Sequence, residues 1–179
     1  MAGRKTKKLN PRRVPLPKSA TNQDAIIDEA THNDMVHAWI LVAYALVEQG
    51  ISPDDIYSLS EQVNQYAKNH IAAKSEMEHA ENLMGIGSVP HLDASKVKSY
   101  VELEKFRKKV EKVALHTAMS IICLGLESTG RFSNAELHVI FLSAALTEAE
   151  ISDGSETYEN LEALLLKKMV QIELSEELK

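Results

Sequence analysis

Apolar residues recur at intervals of three and four along most of the chain, which predicts helices and no sheet. Ala25, Val36, Ile40, Ala43 and Val47 form the first such stripe, and it stops at Gly50. Ser52-Pro53-Asp54-Asp55 then has the chemistry of a helix start: Ser as N-cap, Pro in the first turn, and acids at the positive end of the helix dipole. From there Ile56, Leu59, Val63, Tyr66, His70, Ala73, Met77 and Ala80 keep the same spacing, so the pattern predicts one long second helix from about Pro53 to Leu83. Met84 to Leu92 holds Gly85, Gly87 and Pro90 and reads as the internal break. Asp93 is placed to cap a third helix, charged in its first half and apolar through Ala118, Ile121, Ile122 and Leu126 before Gly130. Ser133 and Glu136 have capping-box spacing for a fourth helix running to about Ala149, and a fifth is expected over Glu156–Glu177.

The expected architecture is therefore all-α, about five helices in two antiparallel hairpins plus a C-terminal helix. Its divisions are an arm over residues 1–23, a first hairpin over 24–83, a linker over 84–92, and a second hairpin with the final helix over 93–179. The two hairpins echo each other, since His37, Glu48, Gly50 and Ser52 have counterparts in His116, Glu127, Gly130 and Ser133. Only these positions are identical, and shared hairpin chemistry explains them as well as duplication does.

Charge alters this picture. The chain has 20 Lys and Arg against 26 Asp and Glu, a formal −6. Seven of the cations and none of the acids fall in residues 1–23, leaving 13 cations against 26 acids, or −13, on residues 24–179. The cations are Arg4, Lys5, Lys7, Lys8, Arg12, Arg13 and Lys18, set among Pro11, Pro15 and Pro17. Proline at that density favours an extended arm, and the seven cations are the candidate contacts to a protein partner or to nucleic-acid phosphates. No aromatic residue interleaves with them, so base stacking is not indicated.

Few residues combine into catalytic chemistry. Glu29-x-x-His32 and Glu76-x-x-His79 have the spacing by which helical bundles present di-metal ligands. An antiparallel first hairpin would bring Glu29, His32, His70 and Glu76 toward one another as weak metal candidates. His79 leaves the apolar stripe, however, and only Glu48 and Glu127 are available to bridge, so neither a metal nor any other cofactor is expected. Gly85-Ile86-Gly87 lacks the lysine and preceding strand of a phosphate cradle. Glu150-x-x-Asp153 with Glu156-x-x-Glu159 resembles magnesium-holding carboxylate pairs, but it lies across a turn. The single cysteine, Cys123, sits in an apolar run with no adjacent base, as a small hydrophobe would. The start of the chain has no apolar signal core, and no apolar stretch reaches the roughly 20 residues of a membrane span. A cytoplasmic, non-enzymatic protein is the expectation.

The run Lys8-Leu9-Asn10-Pro11-Arg12-Arg13-x-Pro15, the later Gly50-Ile51-Ser52-Pro53-Asp54-Asp55-Ile56 and the Val63-Asn64 helix resemble small bacteriophage and prophage helical proteins. The resemblance spans residues from about 5 to 75. It implies a phage context, inside a bacterial host or with the virion, and transfers no catalytic residue. A protein that binds host or defence components, as a homo-oligomer given its broad apolar helices, is what this context implies.

Overall fold

The described residues of the computed structural model are 23–70, 72–85, 100–168 and 170, with side chains described from 34–70, 72–85, 102–168 and 170. The seven cations of the expected arm, most of the 84–92 linker and the end of the expected fifth helix lie outside them.

Helix α1 (Gln23–Glu48) carries the segment that organises the bundle. From Ala38 to Leu46 every residue but Tyr44 is buried, including Trp39 and Leu41. A helix apolar on all sides must be enclosed on all sides. Helix α4 (Tyr100–Ser128) lies along it most extensively, with α5 (Asn134–Asp153) and α6 (Tyr158–Lys167) covering other faces. Helices α2 (Pro53–Asn69) and α3 (Lys74–Met84) pack chiefly on α4, and α3 also meets α5. The protein is thus all-helical, with no strand among the described residues. Its sequence neighbours do not pair as two separate hairpins: α1 touches α2 only slightly, and α4 is the wall shared by both halves.

The helix boundaries follow the local chemistry. The backbone N–H of Asp55 donates to Ser52 Oγ at 3.2 Å with Pro53 in the first turn, and that of Glu136 donates to Ser133 Oγ at 3.3 Å. Glu136 returns the contact by accepting from the Ser133 N–H at 2.8 Å, completing the capping box. Gly50 and Gly130 turn the chain at φ of 80° and 65°, a region costly for residues with a Cβ. The two equivalent turns are also tied together, because the Arg131 guanidinium of one donates to the Asp55 carboxylate of the other.

The long second helix expected over residues 53–83 is divided. His70 leaves helical geometry (φ −128°, ψ 122°), Asn69 bonds back to the Gln65 carbonyl, and a new helix starts behind Ala73. Ala73 has no side chain with which to cap; Glu76 caps instead, its Oε2 accepting from the Ala73 N–H at 2.6 Å. The apolar spacing continues through the break, so periodicity alone does not reveal it.

Two glycines permit close packing. A Cβ at Gly125 on α4 would lie 3.1 Å from both Val63 methyls and 3.3 Å from the Val63 Cα on α2. A β-branched side chain and its own backbone cannot withdraw, so Gly125→Ala should destabilise the protein by about 1–3 kcal/mol; urea unfolding of the two proteins measures the difference. Gly85 ends α3 at φ 70° against the His138 ring, whose Nδ1 bonds the Leu83 carbonyl at 3.0 Å.

Hydrogen bonds to the ionised form hold four carboxyls below their ordinary range: Asp55 through Ser52 and then Arg131, Glu76 through the Ala73 N–H and then His70, Glu136 through Ser133, and Asp153 through Ser155. Their native values lie below their unfolded ones, so their contribution is complete above the unfolded range of about 4 to 4.5 and is lost as pH falls through the lower native values. Thermal midpoints should therefore decline on acidification below about pH 4.5. Glu136→Gln should show a shallower decline, because one of these titrations is gone.

Candidate functional site

A cleft of about 890 Å³ is bordered by α1, α4, α5 and the start of α6. Asp34 and His37 enter from α1, one turn apart. The His37 ring stacks on Tyr158 at the N-terminus of α6, with centroids 3.9 Å apart and planes 13° from parallel. Asp34 is only 8% exposed. Its Oδ1 lies 3.8 Å from His37 Nδ1, beyond hydrogen-bond reach, and its Oδ2 is buried with no hydrogen-bond partner. Burial, and then the fields of Glu148 and Asp34, push the Tyr158 hydroxyl up to about 12, so it stays protonated.

The long wall of the cleft is the charged half of α4. Arg107, Lys108 and Lys112 line it, with Glu111 among them and Val110 and Leu115 beneath. Arg107 is drawn to Glu104 on its own helix at 3.9 Å. Among the described residues, Lys108, Glu111 and Lys112 form no ion pair. Glu148 and Asp153 border the cleft from α5. Cations on one helix and acids on two others thus share a recess that no salt bridge among the described residues closes.

A second feature lies on α5. Leu137, Ile140, Phe141 and Ala144 are buried, yet Val139, Leu142 and Leu146 on another face are 46%, 48% and 61% exposed. With exposed Ala135 and Ala149 they repeat at intervals of four, three, four and three, the spacing of a helix-pairing seam. From Leu137 to Thr147 the helix contains no Asp, Glu, Lys or Arg, and no Lys or Arg occurs anywhere in its 20 residues.

Of the four metal candidates, the side chains of His70 and Glu76 are described. His70 Nε2 does reach Glu76 Oε1 at 3.0 Å, as the expected convergence required. Both Glu76 oxygens are nonetheless engaged in holding the α2–α3 corner, since Oε2 is the cap on Ala73. Glu29 and His32 fall on the α1 backbone, and their side chains lie outside those described. His79 bonds Glu127 at 2.9 Å across α3 and α4, and Glu48 meets Lys168 at 3.8 Å, so both expected bridging carboxylates have other partners. Among the described residues, no group of three His, Cys, Asp or Glu could hold a metal ion.

The remaining candidates are also structural. Asp153 accepts from the Ser155 N–H at 2.9 Å and hydroxyl at 2.6 Å, and Glu156 accepts from the Thr157 N–H at 2.8 Å, which closes the turn before α6. The echo residues part company: His37 stacks in the cleft, whereas burial lowers the pKa of His116, whose Nε2 has no partner. Cys123 is fully buried, and burial followed by the Glu127 field pushes its thiol up to about 12. A thiolate is the reactive form, so Cys123 should remain unmodified by Ellman's reagent in the native protein near pH 8 and should react fully on addition of guanidinium.

The cleft and the outer α5 face are not readable as sites from the sequence. Asp34, Lys108, Glu148 and Tyr158 are far apart in the chain, and the signal for the α5 face is an apolar run too broad for one buried stripe. No helix among the described residues is long and apolar enough to cross a membrane. No family model, curated protein or solved structure matches the chain.

Proposed function

We propose that this is a non-enzymatic, phage-type accessory protein that acts by binding protein surfaces and assembles with a second copy of itself through α5. The observation that carries the reading is the uncovered face of Val139, Leu142 and Leu146 on a helix whose opposite face is already core. Depletion of charge with exposed aliphatic side chains is the composition of an interface centre. The resemblance of residues 5–75 to phage proteins supplies the context, and the seven cations from Arg4 to Lys18 supply a further contact for a protein partner. The −13 of residues 24–179 opposes a nucleic-acid polyanion and suits a basic protein surface.

Charge decides the orientation of the pair. A parallel arrangement would bring Glu148, Glu150 and Asp153 of both copies together and align the two helix dipoles. An antiparallel one sets each acidic end beside the positive start of the other helix, where Glu136 is already occupied by its own cap. A standard interface takes roughly 800 Å² from each partner, more than one such face offers, so the association should be reversible and concentration-dependent. Sedimentation velocity over about 1–100 μM should show monomer passing to dimer. The double variant Leu142→Lys, Leu146→Lys should remain monomeric with unchanged far-UV circular dichroism. A wild-type protein that is monomeric throughout this range would overturn the reading.

A further inference from the structure

We propose that the cleft between α1, α4 and α5 binds a small zwitterion, a molecule with an amine at one end and a carboxylate at the other. The buried carboxylate of Asp34 is the first reason. Asp34 lines the recess, its Oδ2 is buried with no hydrogen-bond partner, its Oδ1 lies 3.8 Å from His37 Nδ1, and a buried carboxylate so placed is costly. A protonated amine held beside Asp34 in the recess supplies the compensating charge. The acids of α5 on the same lining, Glu148 and Asp153, favour a cation there as well.

The second reason is independent of the first. Arg107, Lys108 and Lys112 line the same recess, and neither lysine has an ion-pair partner among the described residues. A simple amine would leave this cationic wall unanswered, and a simple acid would leave Asp34 unanswered. A ligand with both charges answers each wall, with Glu111 the one acid on the α4 side opposing its carboxylate. The stacked His37 and Tyr158 rings and the aliphatic Val110, Leu115 and Ile151 offer an apolar bed for the chain joining the two ends.

The probes are 6-aminohexanoate, hexanoate and hexylamine, titrated to about 10 mM into the full-length protein and followed by amide chemical shifts. Saturable shifts with 6-aminohexanoate are expected at residues lining the cleft, with affinity for each singly charged probe lower by about tenfold or more. Asp34→Asn should weaken 6-aminohexanoate by at least about tenfold, and Lys108→Gln combined with Lys112→Gln should weaken it likewise. Asp34→Asn removes an unpaired buried charge and should melt no lower than wild type, so lost binding is separable from lost folding. Absence of saturable binding overturns the proposal. So does hexylamine binding as tightly as 6-aminohexanoate, or 6-aminohexanoate binding unaffected by Asp34→Asn. Sedimentation of the same proteins keeps this result distinct from self-association through α5.

Discussion

Enclosure of the apolar segment Ala38–Leu46 is the constraint on which the rest of the bundle depends. A surface helix needs one covered side, but this segment presents Trp39, Leu41, Val42 and Leu46 in different directions, all buried. No single partner helix can cover them. That is why α1 is wrapped by α4, α5 and α6 instead of folding back on α2, its neighbour in sequence. Helices α2 and α3 find their place chiefly on α4, and close approach at Gly125 and Val63 is the means by which α2 does so.

Helix α5 meets the same constraint and satisfies it only in part. Over Leu137–Leu146 it is apolar but for His138 and Ser143, and only one side is enclosed. In a single protein, similar composition therefore has two outcomes, one helix fully covered and one half open. Exposed aliphatic residues scattered singly are ordinary, whereas here they form a repeating row on one face. The charged residues of α5 lie toward its two ends, which leaves the middle of the row without a solubilising charge.

Much of the fold is legible in local chemistry. Gly50, Ser52 with Pro53, Gly130, and Ser133 with Glu136 all act at helix ends as their types and spacings indicate, because capping involves residues a few positions apart. The break at His70 is not legible, because the spacing from Val63 to Ala80 continues across it and neither glycine nor proline marks it. Glu76 has the expected neighbour and a different role, since its contact with His70 braces a corner where a metal ligand would have been free to coordinate. Helix pairing is less legible still, since the preference of α1 for α4 over α2 is decided by how many faces need cover. The cleft belongs to this last kind, as its lining comes from four helices brought together only by the packing around α1.

Where the titratable side chains have gone bears on what this molecule can do. Elsewhere in the bundle several are occupied: His70 with Glu76, His79 with Glu127, Arg131 with Asp55, Glu48 with Lys168, Glu136 and Asp153 with the turns they cap. Cys123 is sealed from solvent. Asp34, on the lining of the cleft, is buried with an oxygen unanswered, and Lys108 and Lys112 line the same recess without an ion pair among the described residues. Exposed lysines need no partner, whereas a buried carboxylate oxygen left unanswered costs the fold stability, and its residue's place on the lining of a concave recess is what the proposed ligand would use.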